Sequence, residues 1–583
     1  MNKIKTLTLA IAAISAANVQ AFEFNAGPVE AQLNTTLSYG LGVRTEDPNK
    51  GIIHPGTLAE VYGGTYESNR EIGANSYNAD DGTLNYEKND LITNVVKGSM
   101  DLELVWGNSG MFVRGSAFYD YEIMDEDPAY TPYIDEAKDS AGSGYDLLDA
   151  FVWHNFDLGD TPVSARLGRQ VVSWGESTFI QGGINSINPV NASAARKPGV
   201  EVKEILLPVN MAYASFGITD NVTLETFYQL EWEKTRPDPC GTFFSTSDIV
   251  ADGCGPVLLS GEIDQNAYTN QYENGPGLVT EREKGTNASD DGQYGLALRW
   301  YSEALGDTEF GLYHMNIHSR LPGASITVAD SATSFNSTYF TEYSEDIQIT
   351  GLSFSRGTES GWSLGGEVSF KQDFPINWNG NELIAAANGQ SYALLYQREG
   401  GDAVLGEEIK GYDLRDVWQA QMTFIKFFDQ VAGASRLSFV SEIGATYIQD
   451  LGDGVYGRSS AFGFGTDQAN CDTGNPDTSL NDNTSYCTDE GFVEEFSAGI
   501  RVKAALDYSN ALFGANLQPN FSIGYDHGTG LQFEDKRIVT SLGVNFDYLN
   551  TYSGGIAYVM YDGSDYDQLD DRDNVSLNVK VSF

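Results

Sequence analysis

Beyond residue 21 the sequence has no uninterrupted apolar stretch near the roughly 18 residues that a membrane-spanning helix requires. This absence excludes a helical membrane protein. If the chain spans a membrane, a closed β-barrel is the remaining structure, because every backbone donor must be paired within lipid.

Basic residues are also scarce, with 34 Lys and Arg against 82 Asp and Glu and a formal net charge of −48. Such a surface repels nucleic acid, which we exclude as a partner. The stretch DGSDYDQLDDRD at 562–573 could take up Ca²⁺ or Mg²⁺ at the cell surface, but it lacks the Gly and Glu positions of an EF-hand loop. A solvated acidic loop is the simpler interpretation, and no other cofactor is expected.

Residues with catalytic potential are few. The chain has five His, none at the spacing of a zinc protease, and no G-x-S-x-G nucleophile motif. We therefore predict no catalytic and no metal-ligating residues, and a protein that is not an enzyme.

The four cysteines form two close pairs, Cys240 with Cys254 and Cys471 with Cys487. No His lies near them, which disfavours zinc. In an exported chain the spacing favours two local disulfides, although four cysteines allow three connectivities.

The first 21 residues have the pattern of a secretory signal. Lys3 and Lys5 precede an apolar run, and small residues stand at positions 19 and 21. We predict a signal peptide over 1–21 and a mature domain over 22–583.

Alternation of apolar and polar residues is abundant. In NVSLNVKVSF at 574–583 every second residue is apolar, as in a strand with two different faces. Terminal residues of soluble domains are usually polar and frayed, so this apolar face must lie against a core or against lipid. The ending on Phe583 resembles the terminal signal read by the barrel-assembly machinery, which we therefore expect as a partner.

The same alternation recurs along the chain, and its charged residues fall on the face opposite the large apolar ones. High Gly and aromatic contents (63 Gly, 32 Tyr, 30 Phe and 8 Trp) are also typical of barrels with lipid outside and water inside. We predict an all-β fold, a transmembrane antiparallel barrel of about 18 strands in the outer membrane of a Gram-negative bacterium. The predicted strands are 28–44, 96–106, 111–121, 147–156, 163–173, 208–217, 222–232, 293–301, 309–318, 346–355, 362–372, 416–427, 436–449, 494–507, 513–525, 536–548, 552–561 and 574–583.

The connections between these strands alternate in length, as they do in outer-membrane barrels with short periplasmic turns and long extracellular loops. Both cysteine pairs then lie in extracellular loops, 233–292 and 450–493. The short connections are 107–110, 157–162, 218–221, 302–308, 356–361, 428–435, 508–512 and 549–551. The long ones are 45–95, 122–146, 174–207, 233–292, 319–345, 373–415 and 450–493.

The connection 174–207 differs from the others because it is both basic and apolar in an acidic chain. Such a segment is better placed inside an acidic lumen, where its charges find partners, so we predict an inward-folded constriction or plug. The alternative is an outer loop whose basic residues bind lipopolysaccharide phosphates. The predicted constriction residues are Trp174, Glu176, Phe179, Arg196, Lys197, Lys203 and Glu204.

The predicted inner wall carries charges of both signs, which indicates no clear ion selectivity. Its lumen-facing residues are predicted as Glu225, Arg299, Glu367, Lys371, Glu442, Arg501 and Lys503.

Four stretches resemble a family of Gram-negative exported proteins known as domain of unknown function 1302. They are DDGTLNY at 80–86, RLGRQVVSWGES at 166–177, GGINSINPVNASAARKPGVEVKEILLPV at 182–209 and DNVTLETFYQLEWEKTRPDPCGTFFS at 220–245. The resemblance implies an outer-membrane barrel and supplies no catalytic residues. Genes of that family accompany a second exported family and an inner-membrane exporter, which implies a trans-envelope route for hydrophobic or lipid-like molecules.

Two functional hypotheses follow. The first is an outer-membrane channel or transporter for hydrophobic or lipid-like compounds, working with a periplasmic partner and an inner-membrane exporter and surrounded by outer-membrane lipid and lipopolysaccharide. The second is a non-transporting surface scaffold or adhesin with a plugged barrel.

Overall fold

The computed structural model describes residues 22–259, 279–331, 334, 336–466, 471 and 479–583. The predicted signal peptide, 1–21, lies outside the described residues. No helix within these ranges is both long enough and apolar enough to cross a membrane.

Eighteen antiparallel strands form a closed barrel in which each strand pairs with the next along the wall. Closure is made by the last strand and the second, from Thr36↔Ser582 to Arg44↔Asn574. The strands of the described chain are β1 (Phe22–Ala26), β2 (Val29–Arg44), β3 (Leu91–Trp106), β4 (Ser109–Asp120), β5 (Ser143–Leu158), β6 (Thr161–Gln170), β7 (Val209–Thr219), β8 (Val222–Gln229), β9 (Val257–Leu258), β10 (Val279–Arg282), β11 (Tyr294–Ser302), β12 (Thr308–Ile317), β13 (Gly323–Thr327), β14 (Thr338–Glu342), β15 (Ile347–Gly357), β16 (Trp362–Asn377), β17 (Glu408–Ile409), β18 (Tyr412–Asp429), β19 (Arg436–Ile448), β20 (Phe496–Leu512), β21 (Ala515–His527), β22 (Ile538–Tyr548), β23 (Tyr552–Asp562) and β24 (Asn574–Ser582).

Short helices occur in the long connections. The α-helices are α1 (Pro55–Val61), α2 (Tyr66–Asn69), α3 (Asp81–Leu84), α4 (Tyr121–Asp125), α5 (Asp135–Ala137), α6 (Ala192–Arg196), α7 (Val202–Ile205), α8 (Gly380–Ala387) and α9 (Leu394–Glu399). A π turn spans Lys138–Gly142, and 3₁₀ turns span Lys50–Ile52, Glu303–Leu305, Gly401–Val404, Ser460–Phe462 and Thr484–Tyr486.

The barrel wall has an apolar outer face. On β11, Leu296, Leu298 and Trp300 are 47%, 41% and 45% exposed, whereas the intervening Ala297 is fully buried. Exposed leucine and tryptophan side chains around a closed barrel are the lipid-facing surface of a membrane-spanning wall. The protein is an outer-membrane β-barrel with a lumen enclosed by eighteen strands.

All eighteen predicted barrel strands are present, but several extend past their predicted ends. Strand β20 continues to Leu512 and turns at Phe513 and Gly514, whereas the sequence predicted a turn over 508–512. Both turn residues have positive φ, as the tight two-residue hairpin turn requires. The prediction ended too early because polar residues beyond the lipid layer still pair along the strand.

The outer connections contain a second, five-stranded sheet with the order β17-β13-β14-β10-β9. It packs with α8 and α9 around a core that includes Ile326, Tyr339, Leu383, Leu395 and Trp378. The sequence analysis treated these segments as loops because each strand has only two to five residues. This core continues into the barrel, because it also includes Ile376, Val417 and Ile448 of the barrel strands.

The two predicted local disulfides are present, Cys240–Cys254 and Cys471–Cys487. Both lie in long connections between barrel strands, and the extracellular position of these connections stays a prediction. At the other end of the barrel, the Phe583 amide donates to the Thr35 carbonyl at 2.8 Å, which ties the last residue to β2. A role of Phe583 in assembly stays a prediction.

Candidate functional site

Residues 174–207, which we call the transverse segment, fold into the barrel between β6 and β7. Three groups of contacts anchor the transverse segment to the barrel wall, and the first group is apolar. Trp174, Ile184 and Ile187 are buried against inward-facing side chains of β7, β8, β11, β12 and β15, among them Phe227 and Tyr313. The Trp174 indole also donates from Nε1 to a carboxylate oxygen of the wall residue Glu225 at 2.7 Å.

The second anchor consists of main-chain amides that donate to two buried wall carboxylates. Glu442 of β19 is fully buried and accepts from the amides of residues 178, 179 and 180. Glu367 of β16 is 6% exposed and accepts from the amides of Glu176 at 2.6 Å and Ile184 at 3.0 Å. The Gln421 side chain adds a third donor to Glu367 at 2.8 Å. Carboxylates that accept several N–H groups make strong hydrogen bonds, so these residues hold the segment firmly.

Two glycines make this approach possible. A Cβ atom at Gly175 or Gly183 would collide with the Glu367 carboxylate. Gly175 also has a φ of +87°, a conformation that residues with side chains rarely adopt. Glycine at these positions lets the backbone itself contact the wall.

The third anchor is ionic, and its wall residues lie on β3 and β24. Three side chains of residues 201–204 pair with wall charges of opposite sign, and all are partly or fully shielded from water. The pairs are Lys97–Glu204 at 2.7 Å, Lys580–Glu201 at 3.3 Å and Asp101–Lys203 at 3.4 Å.

These anchors lie on opposite walls. Ile184 contacts Gly351 of β15, and Pro198 lies against Gly40 of β2. Counted in either direction around the eighteen-stranded wall, β15 and β2 are nine strands apart. Glu442 and Asn578, which contact the two ends of the segment, lie at the middle of β19 and β24. The transverse segment thus crosses the lumen near its mid-height.

A cavity of about 360 Å³ lies between residues 193–199 of the segment and the walls formed by β2, β3, β23 and β24. Phe243 and Phe244, from the β8–β11 connection, supply aromatic surface. Arg196 supplies a cation, which lies 4.7 Å from the Phe244 ring centroid and 3.7 Å from Asp238. Burial raises the pKa of Asp238, and the nearby Arg196 opposes that rise. The cavity therefore combines an apolar surface with charged groups.

The family "Protein of unknown function (DUF1302)" matches residues 3–583, essentially the whole chain. The chain belongs to the DUF1302 family. No curated protein matches it.

Several solved outer-membrane proteins share a distant likeness with this DUF1302 chain. OccAB2 of Acinetobacter baumannii is 10% identical over 95% of this chain and 98% of its own, with a TM-score of 0.41. A BenF-like porin from Pseudomonas fluorescens Pf-5 is 11% identical over 95% and 98%, with a TM-score of 0.39. The outer membrane channel DcaP of Acinetobacter baumannii is 9% identical over 97% and 100%, with a TM-score of 0.35. Likeness this distant carries no argument about the site.

The structure places all the predicted constriction residues on the transverse segment of this DUF1302 barrel, but with different contacts. Glu176 and Phe179 donate their amides to wall carboxylates, and the Glu176 side chain also lies against Gly365 of β16. Lys203 finds the acidic partner that the sequence predicted. Lys197 instead donates to the Ala141 carbonyl at 2.7 Å and lies 3.8 Å from the Phe118 ring centroid.

The predicted lumen-facing residues lie on the strand faces opposite the exposed apolar side chains. Arg299 pairs with Glu225 at 3.0 Å, and Arg501 pairs with Asp526 at 2.5 Å. Lys371 is 2% exposed, whereas Lys503 is exposed on the inner face. Of the seven, Glu225, Glu367 and Glu442 contact the transverse segment directly.

The sequence analysis missed the apolar part of the inner wall. It placed small and charged residues inside, yet Met211, Phe227, Met315 and Ile349 face inward and are buried. They are apolar because the transverse segment, and not water, covers them. The amide contacts were also missed, since main-chain donors leave no pattern in side chains. The Gly-Gly pair at 182–183 was the feature of the sequence that could have indicated a close approach of the backbone to the wall.

Proposed function

We propose that this DUF1302 protein is an outer-membrane channel whose lumen is constricted by the transverse segment. The observation that carries the proposal is the crossing of the lumen at mid-height. One end of the segment is packed on apolar wall residues, and the other is held by ion pairs with a cavity beside it. A structural plug needs no such cavity, whereas a pathway for solutes does.

The cavity indicates the class of solute. Phe243 and Phe244 offer aromatic surface for a hydrocarbon group. Arg196 and Lys197 offer positive charge for an anionic head, beside the carboxylates of Asp120 and Asp238 that also line the cavity. We therefore propose hydrophobic or lipid-like compounds that carry an anionic group, such as fatty acids. Passage between the cell envelope and the exterior would use a periplasmic partner and an inner-membrane exporter, as the family's gene neighbourhood suggests.

Deletion of residues 178–205, replaced by a short Gly-Ser linker, tests the channel proposal. Because the segment obstructs the lumen, we expect the deletion to raise the conductance in planar bilayers and the swelling rate of proteoliposomes in sugar several-fold. The intact protein should pass a fatty acid faster than a sugar of similar mass. If both forms stay closed to ions, sugars and fatty acids, the channel proposal is wrong.

A second candidate function is a surface scaffold with a permanently closed barrel. The five-stranded sheet and its hydrophobic core favour it, because they make the extracellular face an ordered surface. Permanent closure of the intact and deleted forms would support this alternative.

A further inference from the structure

Three carboxylates lie together beneath the extracellular surface, outside the lumen site. Asp80, Asp81 and Asp248 are 0%, 3% and 3% exposed. One ligand oxygen from each lies within 4.8 Å of the other two. Among the described residues this is the only such group of three.

The cluster joins different connections of the chain. Asp80 and Asp81 begin the DDGTLNY stretch between β2 and β3, and Asp248 lies between β8 and β11 inside the loop closed by the Cys240–Cys254 disulfide. Asp81 also accepts from the Thr131 hydroxyl at 2.7 Å, which brings in the connection after β4. Three outer connections therefore meet at this cluster.

One oxygen of the cluster has no protein partner. Asp248 Oδ2 accepts from the Asp81 amide at 3.4 Å, while Asp248 Oδ1 is buried with no hydrogen bond. An unpaired buried carboxylate oxygen is costly, and a bound ion is one way in which native proteins satisfy it.

The salt bridges of the described residues include neither Asp81 nor Asp248. Arg44 donates to the carbonyl of Thr83, two residues beyond Asp81, but its salt bridge is with Asp571 at 2.6 Å.

We propose that Asp80, Asp81 and Asp248 bind one Ca²⁺ ion that fastens the outer connections together. Only oxygen donors are present, which selects a hard divalent cation. Oxygens bound to one Ca²⁺ at roughly 2.3–2.6 Å lie up to about 5 Å apart, and the three carboxylates meet that limit. Mg²⁺ is the weaker candidate because it demands a near-ideal octahedron of ligands, whereas Ca²⁺ accepts flexible geometry.

The site has a structural consequence for the cavity. Asp248 lies four residues beyond Phe244, and Gly82 packs directly on the carbonyls of Thr242 and Ser245. Bound Ca²⁺ therefore fixes the segment that carries Phe243 and Phe244 over the cavity.

The Asp-rich stretch 562–573 is a weaker candidate for a Ca²⁺ site, because its Asp571 and Asp567 pair with Arg44 and Arg537.

The test is calorimetric titration of CaCl₂ into the full-length protein in detergent after EGTA treatment. We expect one Ca²⁺ per chain, with a dissociation constant of about 10⁻⁴–10⁻³ M, as is typical of extracellular Ca²⁺ sites. D81N/D248N should bind at least several-fold more weakly, while the exposed-residue control D562N/D565N binds as the wild type does. Mg²⁺ should bind more weakly than Ca²⁺.

A second measurement uses the wild type alone, so it remains informative even if the D81N/D248N variant does not fold. Added Ca²⁺ should slow amide hydrogen exchange in residues 78–86 and 242–258 and leave the barrel strands unchanged. The proposal is overturned if the EGTA-treated wild type binds no Ca²⁺, if D81N/D248N folds and binds normally, or if Ca²⁺ leaves both segments unprotected.

Discussion

Replacing Glu367 and Glu442 together by glutamine should raise the conductance of the barrel several-fold and add rapid transitions between open levels. The two carboxylates accept five main-chain amides of the transverse segment, from residues 176, 178, 179, 180 and 184. A glutamine side chain has the same size but only one acceptor oxygen, and its NH₂ group would face an amide donor.

The expected loss is large because both groups are buried. Hydrogen bonds to charged groups are worth about 1.5–3 kcal/mol each, and an unpaired buried donor adds a further penalty. Loss of even one such bond at each site would leave residues 176–184 detached for part of the time. The ionic anchor at residues 201–204 would remain, so the segment should swing rather than unfold.

Single-channel recording in planar bilayers is the measurement, and D507N is the matched control. Asp507 is an inward-facing wall carboxylate that bonds Arg436 and Gln518 on neighbouring strands, far from the segment. The D507N variant should have a conductance close to that of the wild type. A conductance of E367Q/E442Q equal to that of D507N would mean that the carboxylates do not hold a constriction.

Leu542→Arg should strongly reduce the amount of folded protein in the outer membrane. Leu542 lies at the middle of β22 and is 50% exposed on the lipid-facing surface. Arginine at the middle of the lipid-facing wall of a barrel costs about 2–4 kcal/mol. The free energy of unfolding from lipid vesicles, measured by denaturant titration, should fall by a similar amount.

Ser541→Arg is the control from the adjacent residue. Ser541 shares its strand with Leu542 but lies on the inner face, level with Val559 and Ser522 of the neighbouring strands. The same charge then meets water, so the effect on stability should be small. Equal losses for the two variants would contradict the assignment of the strand faces.

The barrel could be predicted from the sequence because each strand carries two faces in contact with different solvents. Strands such as β24 and β20 show this as a period of two over nine or more residues. The small outer sheet could not be predicted, since β9 and β17 have two residues each and depend on distant partners.

The candidate site was predictable only in outline. Basic and apolar residues at 174–207 indicated a segment folded inward, and Glu225, Glu367 and Glu442 were predicted to face the lumen. Their pairing with main-chain amides was not predictable, because the donors belong to the backbone. The cluster at Asp80 and Asp248 was missed since 168 positions separate the two residues, and only the fold brings them together.

The crossing of the lumen is tested most directly by two engineered disulfides, one at each wall. I184C/G351C would join the segment to β15, and G40C/P198C would join it to β2. In intact outer membranes we expect both pairs to oxidise without added catalyst, as shown by mass spectrometry of the linked peptides, with single-cysteine variants as controls. Both pairs staying reduced and reacting with a membrane-impermeant maleimide from outside would show that the segment does not cross the barrel.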